Sequence, residues 1–339
     1  MSKTHDLQKK KRKKILTMIS FFVIGVFLIA LFFLSTNIGS IEISMKQMIR
    51  GLFIAYDSEV ATVYDLRFPR IIISILAGAG IAVSGVLFQA VLKNPLADPG
   101  IIGISSGASF SAVLITAVAP AYLMLTPLFA FLGGVVAFTI VYSLSWKEGL
   151  SPLRIILIGV AVNALFMGLT SAFNGMTGGD VTGVAAIVEG NIAQKTWDDV
   201  MVLFPYLSIG LLFAFLQVKK CNLLMLEDKT VRGLGIEVNK VRIIISIIAV
   251  LLVSISTAIV GTISFLGLIV PHIGRIFVGS NHKTLIPFSA LLGAFVFLLA
   301  DTLGRTIADP YEISASVIMS IIGGPFFIIL LRGSKKYAR

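Results

Sequence analysis

Few side chains in this sequence could do chemistry, and most of them stand at the ends of long apolar runs. Arg67 and Arg70 flank Pro69 in the segment LRFPR, and Arg305 follows Asp301 in LLADTLGR. A guanidinium in such a place has two uses. It anchors a helix end at an interface, or it receives a carboxylate from a partner. Asp301 and Arg305 have the i, i+4 spacing of a helical salt bridge. Gln89, Asn163, Thr170 and Asn174 are polar but cannot change charge. His272 precedes Arg275 by one turn, which makes a poor metal site; His272 reads as a hydrogen-bonded cap and Arg275 as a complement to a helix C-terminus. The single cysteine, Cys221, excludes an internal disulfide and reads as an inert small residue.

The elements that must position these residues are apolar and long. Residues 99–146 carry no charged side chain, and neither do 15–41, 71–92, 155–179, 200–218, 243–274, 284–300 and 313–331. Crossing hydrocarbon as a helix takes about 20 apolar residues. Of the 339 residues 57% are hydrophobic and 13% charged, where a soluble domain is nearer ~25% charged. Backbone groups in lipid must pair within their own segment, and the alternation of a closed barrel is missing, so the spans are helices. The net charge of +11 sits in loops beside the spans. Anionic lipid and the positive-inside rule account for it, and nucleic acid is not implied.

Basic clusters mark the cytoplasmic side: the tail at 9–14, Lys93, Lys147 with Arg154, the stretch 219–242, Arg275 with Lys283, and the C-terminus. This parity makes 99–146 cross twice, turning outside near Pro120 and Pro127. It also makes 243–274 cross twice, with one crossing short or broken between Gly261 and Gly267. The prediction is an all-α polytopic membrane protein of about ten transmembrane helices with both termini cytoplasmic; single crossings of these runs would give eight or nine. Residues 15–34 are too long an apolar run for a cleaved signal and read as a retained first span. Residues 1–14 form a basic cytoplasmic tail, 15–333 one membrane domain without a visible repeat, and 334–339 a second tail.

The sequence argues against several function classes, and the alternative kept open from another class is an ion-coupled secondary transporter. Ion-coupled transporters use ionisable groups near the bilayer midplane, and these are almost absent here. No H-E-x-x-H, paired catalytic aspartates or G-x-S-x-G is present, so no catalytic or metal-ligating residue is predicted. A G-x-x-x-x-G-K-[ST] loop is also missing, so the chain does not hydrolyse ATP by a Walker mechanism. Uphill transport would draw its energy from another subunit.

Three stretches carry more information. In 66–107, Gly78, Gly80 and Gly85 allow close helix contact or a narrow path, and Asn94-Pro95 and Asp98-Pro99 form turns. In 221–242, Leu223, Leu224, Leu226, Val231 and Leu234 interleave with Glu227, Asp228, Lys229 and Arg232. That pattern predicts a short amphipathic helix stopped by Gly233 or Gly235, lying on the membrane or in the groove of a soluble partner. The third, 261–287, contains the expected break.

Together, LRFPR, NPLADPGIIGISSGA, NLLMLEDKTVRGLG, ISFLGLIVPHIGR, LLADTLGR and IGGPFFIILL, in that order, resemble the FecCD-type permease subunit of iron-siderophore, haem and cobalamin ATP-binding-cassette importers. The resemblance runs from about residue 42 to the C-terminus. It implies the type II importer permease fold, a multi-pass subunit of the bacterial cytoplasmic membrane. It also implies a second permease, identical or paralogous, with the translocation path between the two. Two cytoplasmic ATPase subunits would bind ATP and Mg; this chain would bind no cofactor. An extracytoplasmic siderophore-binding protein would dock through two glutamates onto Arg67, Arg70 and Arg305. The coupling helix would be about 224–235, with Leu224, Leu226, Glu227, Val231, Arg232, Leu234 and Gly235, which favours the groove over the membrane for that stretch. The inner gate would fall at Ser151, Pro152 and Leu153, where Pro152 departs from the small polar residues of some members. Gly78, Gly85, Gln89 and Asn163 would line the path. The implied cargo is a ferric siderophore, with haem or cobalamin as the alternative.

Overall fold

A computed structural model describes residues 2–38, 43–145, 152–176, 184–308 and 311–334 of the chain. Helix is the only regular structure among them. The order is α1 (Ser2–Asn37), α2 (Met45–Phe53), α3 (Ser58–Leu66), α4 (Phe68–Leu92), α5 (Ile104–Val118), a 3-10 turn (Pro120–Leu125), α6 (Thr126–Ser145), α7 (Pro152–Met176), α8 (Val184–Glu189), α9 (Trp197–Leu216), α10 (Val218–Leu224), α11 (Asp228–Gly233), α12 (Val238–Val260), α13 (Leu266–Val278), α14 (His282–Thr306) and α15 (Ala315–Ser334).

Local chemistry sets many of these boundaries. The Ser44 hydroxyl accepts from the Gln47 N–H at the start of α2, and Asp57 accepts from Glu59 and Val60 at the start of α3. Thr196 and Asp199 form a reciprocal capping box on α9. Pro69 sits in the first turn of α4, where its missing N–H breaks no intrahelical bond.

Eight of the described helices are long and apolar enough to cross a membrane, and α5 and α13 are shorter apolar helices. These make up the ten expected. The 3-10 turn falls where the run 99–146 has to reverse. The break in 243–274 also falls where parity demands it. Helix α12 stops at Gly261, whose φ is +72°, and residues 261–265 are irregular. Phe265 has φ +66°, and α13 follows with 13 residues, about 20 Å of helix. Irregular backbone between apolar helices has to be enclosed by protein. Here a Cβ on Gly261 would lie 2.6 Å from the Ile187 carbonyl oxygen, so α8 covers the break.

Helix α4 is the axis of the bundle. Nearly all of it is buried, and it packs against α14, α12, α13 and α9. Two crossings need glycine. A Cβ on Gly78 would meet the Gly293 carbonyl oxygen at 2.4 Å, and a Cβ on Gly85 would meet that of Gly267 at 2.0 Å. Helices α1, α7, α9 and α15 instead turn large apolar side chains outward, such as Phe22, Met167, Met201 and Ile329. A surface of this kind is compatible with lipid or a partner, not with water.

Candidate functional site

Two clusters of charged side chains stand at opposite ends of α4. At its N-terminal end Arg70 is only 6% exposed. Asp301 of α14 accepts from its Nε at 3.1 Å and its Nη2 at 2.9 Å, and Glu312 accepts from Nη1 at 2.9 Å. Asp301 also faces Arg305, with Nε to Oδ2 at 3.5 Å. The helical pair expected from the spacing is therefore present, but the shorter bonds of Asp301 go to Arg70, far away in sequence. Arg67 donates to the Thr36 carbonyl at 2.6 Å, and Arg305 donates to the Ser35 hydroxyl. Both arginines thus hold the C-terminal end of α1, where helix carbonyls lack partners. The structure brings the three predicted arginines into one cluster. It makes Arg70 the hub, buries the Arg305 side chain equally, at 8% exposed, and leaves Arg67 half-buried.

At the other end of α4, Lys93 caps the helix in a left-handed conformation, φ 49°. Its Nζ donates to the Leu226 carbonyl and to Asp228 at 2.8 Å, and Arg242 of α12 donates to the same carboxylate at 3.0 Å. Burial alone would raise the Asp228 carboxyl; the Lys93 hydrogen bond and the charges of Arg242 and Lys93 outweigh it and hold the group below its ordinary value. The Asn222 side chain accepts from the His282 N–H at 2.9 Å and donates to Asn281 at 3.0 Å. The segment 219–242 is therefore tied to α4, α12 and the start of α14.

The single amphipathic helix expected there is instead two short ones, α10 and α11, with a break at 225–227. Glu227 has extended backbone, and Gly235, φ +78°, ends the segment. This split sorts the predicted coupling residues. Leu224 and Val231 are buried in the chain's own core, whereas Leu226 and Leu234 are 44% and 62% exposed. Glu227, Arg232 and Gly235 are exposed with them. Cys221 is buried in α10, and burial pushes its thiol up to about 12, so it stays protonated and inert.

Gly78, Gly85 and Gln89, which the family resemblance places on the path, lie buried between helices of this one chain. Gln89 is a cross-brace: its amide donates to the carbonyls of Ala97 and Gly267 and its oxygen accepts from Arg275. Asn163 is different. It lies on α7 among the exposed residues Ala161, Ala164, Leu165 and Met167. One turn further, Gly168 and then Gly175 face open space. Ser151 lies outside the described residues, as do the side chains of Pro152 and Leu153 at the start of α7.

One buried carboxylate escaped the sequence reading. Asp98, in the turn between α4 and α5, accepts from the Gly100 and Ile101 N–H groups through Oδ1 at 2.9 and 3.2 Å. Its Oδ2 is buried without a hydrogen-bond partner. The motif NPLADPG marks it only as a turn former, and nothing in the spacing shows that α13 closes over it. Burial raises this carboxyl from 3.8 to about 6. The group therefore favours the fold while protonated, and that contribution is lost as pH rises through about 6. Ionisation costs the fold about 3 kcal/mol, taking about 1.4 kcal/mol per pH unit. Asp98→Asn is expected to remove this cost. The parent's melting temperature in detergent should fall between pH 5 and pH 7.5, and the variant's should fall less. An unchanged pH slope in the variant overturns the assignment.

A helical body of apolar spans, with buried ion pairs at one end and a tethered loop at the other, is that of a polytopic membrane protein. The profile of the FecCD transport family matches residues 27–333. The chain belongs to that family. It is 37% identical over 337 residues to the iron(3+)-hydroxamate import system permease protein FhuG of Bacillus subtilis, covering 96% of this chain and 99% of that one. It is 38% identical over 327 residues to the probable heme-iron transport system permease protein IsdF of Staphylococcus aureus, covering 96% and 98%. A solved structure described as an inward-facing ABC transporter of the metal-chelate type superposes with a TM-score of 0.78 at 30% identity, covering 94% and 99%. The chain is thus a multi-pass permease subunit of an ATP-binding-cassette importer, a transport component and not an enzyme.

Proposed function

We propose that this permease imports a ferric siderophore, pairing with a second permease and driven by two ATPase subunits that supply the ATP and Mg site. The observation that carries the reading is the end-to-end similarity to a hydroxamate-iron permease. The equal similarity to IsdF favours haem as the second reading. The cytoplasmic membrane of a bacterium is the proposed location, with both termini inside, because the basic clusters lie on that side.

In this reading Leu226 and Leu234, flanked by Glu227 and Arg232, are the knobs that enter a groove of the ATPase. Lys93 and Arg242 grip Asp228 from α4 and α12, so movement of the ATPase pulls on the two most buried spans. The α7 face around Asn163 looks toward the second permease and the path, and the gate is assigned to 151–153. The binding protein docks at the arginine cluster. Gln89, Gly78 and Gly85 keep α4 rigid and do not touch cargo.

The test is uptake by the purified complex in proteoliposomes, with binding protein outside and ATP at the ATPase face. A ferric hydroxamate should be taken up and haem and cobalamin should not. Accumulation of haem alone moves the assignment to the second reading. Uptake driven by an ion gradient without any ATPase removes the importer reading altogether.

A further inference from the structure

Arg70 is held by two carboxylates of very different standing. Asp301 lies within α14, with its side chain 1% exposed, and takes the Nε and Nη2 donors. Glu312 lies in the non-helical stretch before α15, with its side chain 42% exposed, and both its oxygens accept from Nη1, at 3.1 and 2.9 Å. Beside them opens a cavity of about 320 Å³, lined by Arg70, Asp301 and Glu312 together with Glu189, Asn191 and Ser314. A carboxylate entering from outside reaches Arg70 through this cavity and finds the Nη1 edge already taken.

Addition of that carboxylate is unfavourable, because it would meet Glu312 in contact and Glu189 along the wall. Exchange is not: one acidic group replaces another on the same donors, and the charge on the cluster is unchanged. Asp301 cannot be the group that leaves, since it is buried and also faces Arg305. Glu312 can, because it already meets water and sits on irregular backbone.

We propose that Glu312 is a built-in competitor for Arg70, which holds the Nη1 edge in the free permease and gives it up to a carboxylate of the binding protein. The proposal rests on the docking reading of the arginine cluster. Glu312 then sets a threshold: only a partner whose carboxylate is delivered with enough additional contact displaces it.

The experiment measures the affinity of the complete transporter in nanodiscs for the binding protein that supports its uptake. Glu312→Gln is expected to tighten binding by roughly 3- to 10-fold, the scale of a half-exposed charged contact. In an Arg70→Gln background the same change should bring no gain, because the competed group is gone. Unchanged or weaker binding of the Glu312→Gln transporter overturns the exchange, and so does a gain that persists without Arg70. Glu312→Asp, which keeps the charge but shortens the reach, gives a second reading of the same sign if the glutamine variant does not assemble. The docking reading fails separately, by undiminished affinity when Arg67 and Arg305 are both reversed to Glu.

Discussion

Leu226→Asp combined with Leu234→Asp is expected to strip the ATPase from this subunit and abolish uptake. The two leucines are exposed on a segment that is otherwise fastened to the bundle. Burying one leucine side chain in a partner's groove contributes about 1.5–3 kcal/mol. An unpaired aspartate in its place adds a desolvation cost of several kcal/mol. Two such changes exceed about 4 kcal/mol, a loss of roughly a thousandfold or more in affinity. A pull-down of the ATPase with the tagged permease reads this directly, and a melting curve of the permease alone should be unmoved. Retained complex at parental yield removes the coupling assignment. The control is Val231→Asp: this residue is buried in the permease's own core, so its substitution should lower the permease's melting temperature.

Arg67→Glu together with Arg305→Glu is expected to weaken docking of the binding protein by roughly 30- to 5000-fold. Breaking a hydrogen-bonded charge pair at an interface costs about 2–5 kcal/mol, and reversal adds repulsion between like charges. Both arginines also donate to the end of α1, so a stability measurement has to accompany the binding curve. Arg67→Gln and Arg305→Gln remove the charge without reversing it, so comparison with the Glu variants separates the lost contact from the repulsion. The parental complex should lose affinity steeply with added salt and the reversed variant should not. Affinity that stays at the parental level in the reversed variant, with the fold intact, would falsify the docking assignment.

The neutral braces around α4 show what sequence reading alone cannot separate. A glycine that lets two helices of one chain touch and a glycine that lines a pore are the same letter. Gly78 and Gly85 each need a partner backbone to tell them apart, and those partners, Gly293 and Gly267, lie more than 180 residues away in sequence. Gln89 reads as a polar group in a span until Ala97, Gly267 and Arg275 are seen to use both ends of its amide.

The sequence alone determined the class of protein. Long uncharged runs admit one backbone solution in hydrocarbon, and the alternation of basic and acidic loops counts the crossings, even predicting a broken one at 261–267. Those features are local or additive along the chain, so they can be read without knowing which helix meets which. Only the tertiary structure decided that Arg70 is shared between Asp301 and Glu312, that Asp98 is sealed with one oxygen unpartnered, and that Leu226 and Leu234, not Leu224 and Val231, are offered to a partner. Each of these depends on contacts between distant segments, and burial, which sets both the cost of a charge and the availability of an apolar side chain, exists only once those segments have packed.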